Sequence, residues 1–274
     1  LFILVMAFTA LTSFGTVYGI VHRTETSRDS AQGFLVRRGF DPINFMPIQP
    51  SDLGLLENVP GVGQIAPKTS SRPDSKPIGE IISESGYSSK IYGAVGFDPT
   101  NELRYVDLRK LVTFGRFLSH ENTDEAMVSK SVGLALRLNA GSKIMLYVTG
   151  VPHPIEELTV VGFFDDQAFN ELKEIDGEPY APFKLVKSDE ILVYRQAGAN
   201  ETLLLNWRTA LNIQNAIISL QPEGYQEFSL ISRLTFEFDE KELPRSDLVR
   251  TLVFAMEYTV EVVADRSIEL YYVG

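Results

Sequence analysis

Three histidines, His22, His120 and His153, are the residues of this 274-residue chain best suited to move a proton or hold a metal near neutral pH. His120 is followed by Glu121 and Asp124, and His153 by Glu156 and Glu157. Each group offers nitrogen and carboxylate donors, but neither has the paired-histidine spacing of a zinc site. Both read as solvated loop residues, and His22 as an interfacial residue at the end of an apolar run. Gly61-Val62-Gly63-Gln64-Ile65-Ala66 fits the dinucleotide pattern G-x-G-x-x-A. That mechanism needs a strand before the glycines and a helix N-terminus after them. Pro60 and Pro67 flank the segment, so it reads as a turn. The acidic stretch at 237–242, with Asp247 beyond, lacks the glycine-punctuated spacing of a calcium loop. The pairs Asp165/Asp166 and Glu156/Glu157 do not define a glycosidase geometry. No G-x-S-x-G, P-loop or H-E-x-x-H occurs, and a Ser–His–Asp triad would have to assemble from distant positions. Asn200-Glu201-Thr202 is a glycosylation sequon in a turn, relevant only if the body faces outside. The expectation is no catalytic, cofactor-binding or metal-ligating residue, and a chain structural rather than catalytic.

Composition narrows the classes further. Lys and Arg number 25 against 36 Asp and Glu, a net charge of −11 that disfavours a nucleic-acid partner. The absence of cysteine removes disulfides, thiolate nucleophiles and Cys-ligated metals. A hydrophobic fraction of 44% is that of a globular chain.

The elements that must carry any function begin with residues 1–21, which hold no charge. A helix of that length spans the ~30 Å hydrocarbon core of a bilayer. A secretory signal would bring a basic n-region and a shorter apolar core; a buried core helix is the other competing reading. Gly15 and Gly19 form a G-x-x-x-G pair and are the expected helix-packing residues. Arg23, Arg28, Arg37 and Arg38 after the run argue for a cytoplasmic-type side, against the sequon. Residues 22–32 read as a polar helical extension, closing a first unit at 1–40. Seven of the fourteen prolines fall in 41–79, where neither helix nor central strand is expected. Its first part, to residue 66, reads as an extended arm laid over a partner or the chain's own body; residues 67–77 read as a polar linker.

From residue 80 to 274 short strands dominate, with candidates at 89–97, 128–138, 143–151, 158–164, 183–187, 190–196, 201–206, 228–238, 248–263 and 267–273. Helices are expected at 104–118 and at 165–175, the latter capped by Asp165; 207–219 is ambiguous. The fold class expected is mainly β: an N-terminal transmembrane-type helix, a Pro-rich arm, and an antiparallel β-sandwich or jelly-roll-like domain with one or two short helices. An apolar start, a polar helical extension and a β-rich head resemble the layout of type IV pilin-like subunits, with Val5 where bacterial pilins carry Glu. That resemblance implies a helix packed in a filament core. The functional expectation is a non-enzymatic structural or assembly subunit, anchored at a membrane or in a filament. Its partners would be other protein subunits, self or hetero, met through the N-terminal helix and the arm, with lipid and without nucleic acid. The alternatives are the pilin-like filament subunit, a membrane-tethered hydrolase, and a virion protein with a membrane-inserted arm.

Overall fold

The computed structural model describes residues 31–38, 45–46, 48, 50–71, 73–148, 151–175, 177–188, 191–219, 231–239, 241–244, 247–248, 250, 259–264 and 267–270. The first strands are β1 (Ala31–Arg38), β2 (Phe45–Met46) and β3 (Val62–Ser70), with helix α1 (Pro50–Glu57) before β3. Strands β4 (Gly79–Ser83), β5 (Ser88–Ile91) and β6 (Gly93–Phe97) follow. Then 3-10 turns at Glu102–Arg104 and Leu108–Leu111 lead to β7 (Val112–Gly115). Strand β8 (Glu125–Ser129) feeds α2 (Lys130–Leu136), while β9 (Lys143–Val148) and β10 (Glu156–Phe164) feed α3 (Asp166–Glu171). A hairpin of β11 (Phe183–Ser188) and β12 (Ile191–Gln196) precedes a 3-10 turn at Ala199–Glu201, β13 (Thr202–Asn206) and α4 (Trp207–Ser219). The last strands are β14 (Ile231–Phe238), β15 (Thr259–Ala264) and β16 (Ser267–Leu270).

The protein is mainly β. Among the described residues, all strands but β11 and β12 join one 14-stranded open sheet, whose path runs β16-β15-β1-β14-β3-β6-β13-β8-β10-β9-β4-β5. Pairings are antiparallel except β10 with β8 and β13 with β6. The expected sandwich or jelly roll is therefore corrected: those folds need two antiparallel sheets face to face.

Burial explains why the strand pattern misled. Alternate residues of the same strands enter different cores. Val95, Phe97, Met127 and Leu204 lie in one cluster with Phe164, Phe169 and Tyr180. Ala94, Ala126, Val128, Leu203 and Leu205 lie in another with Val132 and Leu136 of α2 and Ala210 and Ile213 of α4. A central strand covered on both faces reads as a continuous apolar run such as Leu203-Leu204-Leu205, with no alternation to follow. A third cluster joins Ile48 and Leu56 to Leu234, Phe236 and Phe238 of β14.

Several local expectations change for identifiable reasons. The segment expected as a Pro-rich arm contributes α1 and the central strand β3. Pro67 is accepted because β3 meets β6 only from Lys68 onward, so one flank of Pro67 is unpaired there. The strand expected at 128–138 is β8 followed by α2, which Ser129 starts by accepting the Val132 amide. The helix expected at 104–118 is two 3-10 turns and β7. The helix at 165–175 forms as α3, with Asp165 accepting the Ala168 amide at its N-cap. The ambiguous 207–219 is helical. Ala31 and Gln32, expected in a helical extension, begin β1. Residues 1–21, with Gly15 and Gly19, lie outside the described residues. Among those described, no helix is long and apolar enough to cross a membrane.

Candidate functional site

The densest chemistry lies inside the protein. Lys68 on β3 and Arg233 on β14 are cross-strand partners, so both reach the same face of the sheet. Lys68 Nζ donates to Glu174 and, at 3.3 Å, to the Tyr180 carbonyl, while sitting 3.5 Å from the Tyr180 ring centroid. Arg233 Nη1 lies 3.7 Å from Glu174 Oε2, and the Tyr180 hydroxyl donates to Glu102 Oε1 at 3.2 Å. Burial pushes the Glu102 carboxyl above the ordinary carboxylate range, against the opposing pull of Lys68 and of the Tyr180 hydrogen bond. Burial, reinforced by the Glu102 charge, also raises the Tyr180 hydroxyl, which stays protonated. The arrangement clamps the 3-10 turn at Glu102–Arg104 and the loop after α3 onto the sheet. Its groups are engaged with one another in the interior, where they tie together segments distant in sequence.

The sequence-level candidates are dispersed. His120 meets neither Glu121 nor Asp124 as a ligand partner. Its Nδ1 lies 3.5 Å from Asp98 Oδ1, and Asp98 is itself engaged by the Thr100 and Asn101 amides. No serine hydroxyl hydrogen-bonds to the His120 ring among the described residues. His153 is exposed. Glu157 pairs with Lys143, and Glu156 is raised by partial burial and by Asp124. Among the described residues no group of three or more His, Asp or Glu is placed to hold a metal. Gly61 occupies a left-handed turn at φ 86°, and residues 62–66 run on as β3. No helix N-terminus follows, so the dinucleotide pattern is empty of mechanism. In the acidic stretch Glu237 lies 3.7 Å from Arg104, and Asp239 accepts the Lys241 amide. Asp166 accepts from Ser131, tying α3 to α2. Asn200 is exposed, whereas Thr202 is buried with its hydroxyl donating to the Gly198 carbonyl.

What the sequence reading passed over is an exposed apolar surface. Ile191, Leu192 and Val193 at the start of β12 are 67%, 55% and 39% exposed. Their hairpin pairs only with itself among the described residues. At its base the Leu185 amide donates to the Asp74 carbonyl at 3.0 Å, the Ala197 amide to Pro182, and Lys184 to Glu201. Phe114 on β7, whose ring lies 6.0 Å from that of Phe163, and Leu134 on α2 are exposed as well. The available signal was the unbroken Ile191-Leu192-Val193 run directly after two acids. A strand half-buried on one face would alternate instead.

No family model and no curated protein matches the chain. Two solved structures follow a similar course. One is the periplasmic region of MacB from Actinobacillus actinomycetemcomitans, with 14% identity over 89% of this chain and 90% of that one, at a TM-score of 0.48. The other is the extracellular domain of the noncanonic ABC-type transporter YknZ from Gram-positive bacteria, with 10% identity over 88% of this chain and 99% of that one, at a TM-score of 0.43. Both likenesses concern the path of the chain alone.

Proposed function

We propose that the chain is a non-enzymatic assembly subunit of a membrane-associated multi-subunit complex, with the uncharged run at 1–21 in the bilayer and the β-rich body as the docking element. The observation that carries this reading is the hairpin with Ile191, Leu192 and Val193 in water. Monomeric proteins seldom leave contiguous aliphatic side chains uncovered, and such patches mark contact surfaces. The scatter of the histidines and carboxylates is compatible with the same reading: among the described residues no group of three or more His, Asp or Glu is placed to hold a metal. By name, one structural neighbour is a periplasmic region and the other an extracellular domain of an ABC-type transporter.

The test is extraction of the full chain from its native membranes. Release only by detergent, as a particle larger than one chain, is the expected result. A stable monomer released by salt or carbonate alone would sink the reading. Hydrolytic turnover that disappears on replacing His120 or His153 would move the chain to the membrane-tethered enzyme class.

A further inference from the structure

We propose that the 3-10 turn at Glu102–Arg104 is a pH-sensitive latch on the sheet, closed while the Glu102 carboxyl carries a proton and loosened when that proton leaves. The inference concerns a motion of the body itself and stands apart from what the body docks to.

The geometry starts from a carboxyl taken out of water. Glu102 is 1% exposed. Its Oε1 accepts from the Tyr180 hydroxyl, but its Oε2 is buried with no hydrogen-bond partner in the protein. Burying an ionised oxygen without a donor costs far more than burying a neutral carboxyl. The surrounding charges point the same way. Lys68 on β3 and Arg233 on β14 bring two positive charges to the cluster. Glu174 from the loop after α3 and Asp98 before the turn bring two negative ones. An ionised Glu102 is then the surplus charge. Burial raises its carboxyl against the pull of Lys68, Tyr180 and Arg233, and Asp98 adds to the rise.

The state of this side chain reaches the backbone directly. The Tyr105 and Val106 amides both donate to the Glu102 carbonyl at 2.9 Å, and the Glu102 amide donates to the Asp98 carbonyl at 3.0 Å. Asn101 Nδ2 ties the turn to the Ile65 carbonyl of β3 at 2.9 Å, and Arg104 lies 3.7 Å from Glu237 of β14. Beyond the turn, Val106, Leu108 and Leu111 join the core cluster that contains Phe97 and Phe164. Loosening the turn therefore uncovers apolar surface.

In the released segment the carboxyl returns to its solvated value of about 4.3, below its value in the closed form. The closed form holds the proton more tightly, so opening releases it. Closing is favoured at low pH. Opening grows about tenfold for each pH unit above that solvated value and levels off once the closed form also ionises.

Hydrogen exchange of the full chain in detergent, followed by mass spectrometry from about pH 4.5 to about pH 9, tests the latch. At each pH the exchange of 98–111 is divided by that of 207–219 in α4, which cancels the pH dependence of the exchange chemistry. The wild-type ratio is expected to climb about tenfold per pH unit and then level, while the Glu102→Gln ratio stays flat. His120, whose Nδ1 lies 3.5 Å from Asp98, is present in both chains, so the difference between them belongs to Glu102. Tyr180→Phe removes the donor to Oε1 and is expected to carry the climb to higher pH before it levels, a second reading should Glu102→Gln fold poorly. A flat wild-type ratio, an equal climb in Glu102→Gln or an unshifted profile in Tyr180→Phe would overturn the latch. Exchange of α4 rising in step with the segment, measured against an unstructured peptide, would overturn it as well, because the proton would then act on unfolding of the whole body.

Discussion

Replacing Glu125 by Gln removes one charge from a site whose partners are all visible, which lets the effect be worked out. Arg116 grips the Glu125 carboxylate with Nη1 at 2.9 Å from Oε2 and Nη2 at 2.5 Å from Oε1. Asn122 Nδ2 adds a bond at 2.7 Å and the Ser119 amide another at 2.8 Å. Chiefly through the Arg116 bonds, these donors hold the carboxyl at about 2 instead of 4.5. At 1.36 kcal/mol for each tenfold change, that difference corresponds to about 3 kcal/mol. The Glu125 side chain is 3% exposed but that of Arg116 is 54% exposed, so solvent screening reduces the figure to about 2 kcal/mol. In a body of this size, that loss lowers the melting temperature by about 4–8 °C at pH 7. The stabilisation belongs to the ionised form. It is complete above the unfolded-state value near 4.3 and disappears as pH falls through about 2. Thermal unfolding of the wild type and Glu125→Gln across pH 7 to 2.5 should therefore show the gap closing below about pH 4.5. A gap that stays constant to pH 3, or none at pH 7, would refute the assignment of the stabilisation to the charged carboxylate.

Two other substitutions test neighbouring parts of the fold. Glu102→Gln is expected to match or exceed wild-type stability at pH 7. Burial raises this carboxyl, so the wild type loses stability as pH rises through the unfolded value, whereas the amide does not titrate. Melting curves at pH 4 and pH 7 check it, and a variant less stable than wild type only at pH 7 would contradict the sign. Gly115→Ala should destabilise by about 2 kcal/mol, measured by urea unfolding. Gly115 has φ 81°, and a Cβ there would lie 2.4 Å from the Val161 carbonyl oxygen, so both the backbone and the neighbouring strand oppose the change.

Local signals in the sequence located the elements with their own punctuation. Asp165 marked α3 because a cap is a one-residue mechanism that tertiary context does not alter. The hairpin at 183–187 and 190–196 was visible as two apolar runs around a polar turn. The sheet's connectivity was not legible. Parallel pairing of β6 with β13 and of β8 with β10 depends on contacts far apart in sequence, and strands covered on both faces lose the alternation that signals a half-buried strand. Proline density misled for a related reason. A proline excludes a strand only where both flanks need its amide, and the sequence does not say that β6 stops short of Pro67. The buried clamp was illegible because Lys68, Glu174 and Arg233 are separated by more than a hundred and then almost sixty positions, with no spacing rule to connect them.

The two charged systems of this protein perform opposite tasks, and the contrast bears on how the hairpin is read. Lys68 and Arg233 are drawn into the core and answered there by Glu174, because a buried charge without a partner costs several kcal/mol, on the order of its desolvation. The body's surplus of acids stays on the surface, where a net charge of −11 keeps copies apart at long range. Non-specific association of the bodies is therefore disfavoured by repulsion, which decays over about 8 Å at physiological salt. A short-range contact survives that repulsion only if it is local, apolar and correctly charged at its rim. The exposed Ile191, Leu192 and Val193 of β12 supply such a local apolar surface. Raising salt should therefore strengthen general association of the bodies, which light scattering of the full chain across a salt series checks.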